Sequence, residues 1–337
     1  MKILIIRTDN LGDLLCTTPA IRALKKSNPC FDIFVLCNSY NQAVIQENSD
    51  INKIYAYTKA KHKNNKQSLL SIYFKKLKLF YNLRREKFDY AIIASTFPNK
   101  KGWIFARVAN PKKIVGYADK NIKYRKQDIP IKSPPHRKKS HEVENVYELF
   151  KIFNVPAEIP NMVLCHNNRD NSGSKKSSRE IALHISSRKT SQRLHPAQIT
   201  ELIGHICKNY NFTLKVFWMP GDELSYSTHP GDSKKILPLK DKVRSDSVIF
   251  CSTNSVHELI EQLSNCEFFI GSDGGAMHIA AALNIPVFCF FGDSNPLQWR
   301  PWGVDYDLLQ DESLSVSKLD IKTITNRFDK FLSKIYP

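Results

Sequence analysis

Two successive α/β halves, each a doubly wound parallel sheet, are predicted by three features of this sequence. Apolar runs of strand length alternate with longer amphipathic segments, the pattern of buried parallel strands joined by crossover helices. The alternation starts twice, on either side of Asn167–Arg179 (NNRDNSGSKKSSR), a stretch with no apolar side chain. The chain has 337 residues, enough for two cores, and its 42% hydrophobic and 11% aromatic content argues for packing rather than disorder. The expected organisation is a first domain over 1–166, a linker over 167–179 and a second domain over 180–337.

The first half opens on Lys2–Arg7 (KILIIR), nearly continuous in apolar residues and so a strand covered on both faces. A polar glycine loop, Thr8-Asp9-Asn10-Leu11-Gly12-Asp13, follows. Leu14–Lys26 then reads as helical, with Pro19 either kinking it or opening its regular part. Further strands are expected at Phe31–Cys37, Lys53–Tyr57, Phe88–Ser95 and Lys113–Tyr117. Between the third and fourth lies Leu69–Lys87, where Leu70, Tyr73, Phe74, Leu77 and Tyr81 share one helical face and Lys75, Lys78, Asn82 and Arg85 another. Such a segment is either a helix for an anionic membrane surface or a crossover helix with a solvated basic face.

The second half repeats the pattern. Strands are expected at Glu180–Ile185, Phe212–Trp218 and Ser247–Cys251, and helices at Pro196–Tyr210 and Ser255–Ser264. Phe268–Gly292 reads as strand, glycine turn, alanine-rich helix and buried strand. Asp320–Tyr336 is the last helix, its Ile321, Ile324, Phe328, Phe331 and Ile335 spaced for one apolar face and Asp320 in its first turn; it is also a candidate to pack back on the first domain. Two such halves place a cleft at the carboxyl ends of both sheets.

A formal net charge of +18 implies an anionic partner without choosing among lipid, nucleotide and nucleic acid. The eight cysteines form no C-x-x-C pair, so a reducing compartment is expected. Met1–Ile6 is too short for a signal-peptide core, and no apolar run approaches the roughly 18 residues of a membrane span. None of the ten histidines has a metal-ligand spacing.

Five stretches carry candidate chemistry. Asp13 lies where a general base could take a proton from an attacking hydroxyl, or simply cap the following helix. Ser186, Ser187 and Arg193, in the loop after the first strand of the second half, suit a diphosphate. Glu223, in the Trp218–Glu223 stretch, could accept from ribose hydroxyls. In the glycine turn, Gly274 and Gly275 admit close approach of an anion to a helix start. Asp273 could cap that helix or hold sugar hydroxyls, and His278 lies one turn further on. Asp305 and Asp307 form an acidic pair that could bind a cation.

Taken together these residues resemble a known family. Arg7-Thr8-Asp9-Asn10-Leu11-Gly12-Asp13, with Pro19 and Leu24, is similar to the N-terminal signature of the bacterial lipopolysaccharide heptosyltransferases, glycosyltransferase family nine. Gly271–Ala282, continued by Phe291-Gly292-Asp293-Ser294-Asn295-Pro296, is similar to their C-terminal signature. The resemblance implies a GT-B fold of two Rossmann-like domains, the first binding acceptor and the second donor. It implies an inverting glycosyltransferase that moves heptose from ADP-heptose to the inner core in lipopolysaccharide biosynthesis. By that similarity Asp13 corresponds to the base and Asp273, Gly274, Gly275 and His278 to the donor site; Arg193 stands for its phosphate-neutralising lysine, Glu223 matches its ribose acid loosely, and Ser186 and Ser187 join the donor site from their own place in the loop after the strand. Asn10, Gly12, Lys75, Lys78 and Arg85 are assigned to the acceptor, a phosphorylated lipid A–Kdo type molecule at the cytoplasmic face of the inner membrane.

By the same resemblance the ADP-sugar is a co-substrate, no cofactor is tightly bound and no divalent cation is required. Two departures stand out: Arg193 replaces a lysine, and Gly274 stands where Thr or Ser is common. Rival readings are a transferase for another nucleotide sugar, or a non-enzymatic basic protein on nucleic acid or membrane. The paired motifs favour a transferase without a nucleic-acid partner. An oxidoreductase lacks its fingerprint, since no G-x-G-x-x-G follows the first strand.

Overall fold

The computed structural model describes residues 1–58, 69–97, 99–133, 138–166, 179–221 and 230–336. Glu223 and residues 167–178 of the expected linker lie outside the described residues, as do the side chains of Leu70 and Tyr73. The chain divides into two compact units, Met1–Cys165 and His166–Pro337.

The first unit runs β1 (Lys2–Ile6), α1 (Leu11–Leu15), α2 (Thr18–Ser27), β2 (Asp32–Asn38), β3 (Lys53–Tyr57), α3 (Leu69–Arg85), β4 (Tyr90–Ile93), α4 (Lys100–Ala109), β5 (Lys113–Tyr117), β6 (Ile129–Ile131) and α5 (Glu142–Glu148). Its strands lie in the order β3-β2-β1-β4-β5-β6, every pair parallel. The apolar run of β1 explains its central place: Ile3, Leu4, Ile5 and Ile6 are fully buried, which only a strand covered on both faces allows.

The single helix expected over Leu14–Lys26 is two helices. Pro19 sits in the first turn of α2, where its missing N–H costs nothing, and the chain turns between Leu15 and Thr18. On α3 the structure turns the apolar face outward. Phe74, Leu77 and Tyr81 are exposed, while Leu79 and Leu83 pack on the sheet and the Phe80 ring meets Phe105 edge-on at 5.8 Å.

The second unit runs β7 (Arg179–His184), α6 (Pro196–Asn209), β8 (Phe212–Trp218), α7 (Ser233–Lys242), β9 (Val248–Ser252), α8 (Val256–Ser264), β10 (Phe268–Ser272), α9 (Gly275–Ala282), β11 (Val287–Phe291), α10 (Pro296–Trp299), β12 (Tyr306–Gln310) and α11 (Ile321–Ile335). Its sheet, ordered β12-β11-β10-β7-β8-β9 and all parallel, repeats the first topology strand for strand. In both sheets the strand order reverses beside the first strand, between β1 and β4 and between β7 and β10. That is where open α/β sheets bind ligands, beyond the strands' carboxyl ends.

Phenylalanines build the second core: Phe328 of α11 sets its ring edge-on to Phe268 at 5.8 Å and to Phe288 at 5.7 Å. Asp320 is the N-cap of α11 rather than a first-turn residue; its carboxylate accepts from the Thr323 amide at 2.9 Å. Both carboxylate oxygens of Asp307 accept from the Arg327 guanidinium, one from Nε and one from Nη2, and Asp305 lies 3.3 Å from Lys334, so this acidic pair is matched by cations of α11. Among the described residues no helix is long and apolar enough to cross a membrane.

Candidate functional site

At the switch point of the first sheet a single guanidinium organises the loop after β1. Arg7, 2% exposed, donates to the Ala94 carbonyl just past β4 and so ties the ends of the two strands together. One of its nitrogens reaches Asp13 at 2.5 Å and Glu142 at 2.8 Å, and a third carboxylate, Asp9, lies 3.4 Å from Nε. Burial opposes the charge of Arg7, yet Asp13, Glu142 and Asp9 more than compensate and hold its pKa above the ordinary value.

Asp13 occupies the third position of α1, where its other oxygen accepts the Asn10 amide at 2.9 Å. Asp13 is thus not the cap of a helix beginning at Leu14, as expected: the helix begins at Leu11 with Asn10 as its N-cap, and Asp13 reaches back to that residue from inside the first turn. This placement is compatible with reactivity, because the Asn10 amide and Arg7 fix the carboxylate in one orientation at a strand end. Asn38 and Asn41, both buried, donate their amides to the backbone of residues 8–9 and brace the loop from β2. Asn10 follows directly as the N-cap of α1, and Gly12 lies buried within that helix. Lys75, Lys78 and Arg85 are instead exposed along α3, a separate surface of the same unit.

Neither Arg7 nor Glu142 emerges from the sequence as a candidate on its own. Arg7 carried a signal, an arginine directly after four fully apolar strand residues, which must find a counter-ion if buried. Glu142 carried less. It follows His141, whose Nδ1 caps α5, and nothing local points toward β1.

The second sheet repeats the arrangement with different chemistry. Asp273 follows β10 and accepts from Gln192 Nε2 at 2.9 Å, so an amide from the loop after β7 reaches the end of β10. The same Gln192 nitrogen lies 2.6 Å from Ser294 Oγ, and its carbonyl accepts from Ser187 Oγ at 3.3 Å. Asp273 thus is not the N-cap of α9; Gly274 is, and it has no side chain with which to bond that helix start. Burial pushes the Asp273 carboxyl up from its ordinary pKa, opposed by His278, Ser294 and Gln192. His278, buried within α9, has Nε2 4.0 Å from Asp273 Oδ1 and its ring edge-on to Trp299.

A Cβ at Gly274 would find only the Ser272 carbonyl, at 3.9 Å, so the turn is open at that point. At Gly292 the opposite holds: a Cβ would lie 2.3 Å from the Ser191 carbonyl. Glycine is what lets the loop carrying Gln192 dock on the end of β11.

The expected phosphate ligands are differently engaged. Ser186 donates its hydroxyl to buried Asp232 and accepts the Met219 amide at 3.0 Å. Arg193 braces its own loop, with Nε 2.9 Å from the Ser187 carbonyl. Through Gln192, Ser187 of the loop after β7 is linked to Asp273 and Ser294, with Gly274 and His278 following Asp273, while Arg193 is held to the Ser187 carbonyl. The position of Glu223 lies outside the described residues.

Two Rossmann-type sheets of one topology, each presenting polar loops at its switch point, give the chain the GT-B fold. Residues 76–325 match the profile of glycosyltransferase family 9 (heptosyltransferase), and the chain belongs to that family. It is 26% identical over 322 residues to a putative glycosyltransferase of Haemophilus influenzae, covering 89% of this chain and 85% of that one. Against lipopolysaccharide heptosyltransferase 3 of Escherichia coli it is 24% identical over 300 residues, covering 86% and 83%. The structure of the E. coli heptosyltransferase WaaC with ADP superposes with a TM-score of 0.77 at 15% identity over 98% of this chain and all (100%) of that one. The chain is a heptosyltransferase-like glycosyltransferase.

Proposed function

We propose that this enzyme transfers a heptose from ADP-heptose to a hydroxyl of the lipopolysaccharide inner core, with inversion. The observation that carries this reading is Asp13, held by Arg7 and the Asn10 amide at the end of β1 in a member of a heptosyltransferase family. Asp13 takes the proton of the acceptor hydroxyl; the oxygen attacks the anomeric carbon; the bond to ADP breaks on the opposite face, and ADP leaves with the electron pair. Arg193, the main-chain N–H groups of Ser186 and Ser187, and the start of α9 at Gly274 and Gly275 stabilise the departing diphosphate. Asp273 and His278 hold the sugar, and Glu223 the adenosine ribose. The step uses no resident metal.

The acceptor contacts Asn10 and Gly12 at the β1 loop, and its phosphates meet Lys75, Lys78 and Arg85 of α3. The enzyme works at the cytoplasmic face of the inner membrane as a peripheral protein.

Asp13→Asn, which preserves shape, should lower kcat on the order of 10²- to 10⁴-fold while ADP-heptose still raises the melting temperature as in the parent. Near-normal turnover in that variant would remove the base assignment. A panel of nucleotide sugars, scored by nucleoside-diphosphate release and thermal shift, tests the donor. Preferred release from a different nucleotide sugar would transfer the same mechanism to that donor, consistent with arginine at 193 and glycine at 274.

A further inference from the structure

We propose that the outward stripe of α3 inserts into an anionic bilayer, so that attachment has an apolar component as well as a charged one. The inference deepens the membrane part of the proposed function and is independent of the transfer chemistry. Phe74 is 67% exposed, Leu77 46% and Tyr81 62%. Positions three and four apart share a helix face, so these three form one stripe about two turns long. The helix does not need them for its own docking, since Leu79, Leu83 and Phe80 hold it to the first unit.

Around the stripe the charge has one sign. Over Leu69–Arg85 there are five cations, Lys75, Lys76, Lys78, Arg84 and Arg85, and no acid. Arg85 lies over the Tyr81 ring at 5.5 Å, keeping an aromatic and a cation together at one depth. Large apolar side chains this exposed are costly in water unless something covers them. A second copy of the same face would oppose five cations with five, which disfavours self-association. An anionic lipid surface satisfies both halves: acyl and headgroup boundary for the rings, phosphates for the cations.

The experiment is vesicle co-sedimentation of the full chain without nucleotide sugar, comparing phosphatidylglycerol-containing with pure phosphatidylcholine vesicles. The parent should bind the anionic vesicles and retain part of that binding in high salt. The triple variant F74S/L77S/Y81S should lose that salt-resistant part, with partitioning weakened about tenfold or more; K75Q/K78Q/R85Q should lose the salt-sensitive part. A thermal melt of each variant checks folding. As a measurement that does not depend on a destabilising change, Phe74→Trp should add emission that is blue-shifted by anionic vesicles and quenched by brominated acyl chains. Unquenched emission, binding wholly abolished by salt, preference for an oligonucleotide over vesicles, or a parent dimer that the serine variant breaks would each overturn the proposal. Failure of vesicle binding in an enzyme that still transfers sugar rejects this surface and leaves the proposed reaction standing. Insertion without transfer from any nucleotide sugar does the reverse.

Discussion

Arg7 and Glu142 meet at 2.8 Å across 135 residues of sequence, and both are almost wholly buried. The contact joins the loop after β1 to the start of α5, so the geometry around Asp13 depends on a carboxylate far along the chain. A buried guanidinium that loses one of its counter-ions is costly. Glu142→Leu should destabilise the fold by about 3–5 kcal/mol; Glu142→Gln, which keeps an acceptor oxygen, should cost about 1–3 kcal/mol. In the Gln variant kcat should fall while the KM for the nucleotide sugar holds, because the disturbance lies on the Asp13 side. Urea melts and steady-state kinetics check both, and an unchanged melt of the Leu variant would show that Asp13 and Asp9 suffice for Arg7.

Gln192 joins three loops through one amide. Gln192→Leu keeps the bulk and removes the hydrogen bonds, leaving the Asp273 carboxylate one donor short. A stability loss of about 1–3 kcal/mol is expected, with a rise in KM for the nucleotide sugar. Gln192→Glu sets one carboxylate against another, and its deficit should shrink on acidification as one of the two takes up a proton. A melt series against pH reads this directly.

Asp273 has a raised pKa because it is buried. The native state therefore binds its proton more readily than the unfolded chain, and stability from this group is lost as the pH rises through its folded pKa. Asp273→Asn removes the buried charge and should melt higher than the parent at neutral pH. The difference should close as the pH falls below the ordinary carboxylate range. Transfer activity should drop sharply in the same protein, since the proposed reaction gives this carboxylate the sugar. A lower melting temperature at neutral pH would contradict the burial argument.

Glu86 shows the opposite sign. Burial alone would raise its pKa, but hydrogen bonds from Lys53, Tyr55 and Lys2 overcome that and bring it to about 2. Its contribution is present above the unfolded carboxylate value of 4.5 and is lost as the pH falls toward about 2. Glu86→Gln should cost about 1–2 kcal/mol at neutral pH after allowance for solvent screening. The cost should vanish in acid, measurable by urea melts at two pH values.

Most of the fold was legible because buried parallel strands write themselves as apolar runs. KILIIR and FFIGS need no partner to be read as strands. The elements that escaped lie where that signal is diluted. In β12 (YDLLQ) a carboxylate sits mid-strand because the strand is at the sheet edge, and Asp307 turns to Arg327. In α4 two lysines and a glycine precede the apolar stripe formed by Trp103, Phe105 and Ala106. Motif residues such as Asp13 and Asp273 could be found by their place after a strand. The contacts of Gln192, Ser294 and Glu142 could not, since they arise only where separate loops converge. The engagement of the Ser186 hydroxyl belongs with these, as nothing near it in sequence announces Asp232.

Three carboxylates surround one guanidinium at the end of β1 in a chain whose overall charge is +18. The sign of the local field is thus inverted where the proposed base sits. An acidic acceptor drawn in by the protein's long-range attraction would be repelled at that spot by its own phosphates and admitted by a neutral hydroxyl. The cluster would then act as an orientation filter, turning the molecule so that its anionic groups point back toward the lysines and only an uncharged oxygen reaches Asp13.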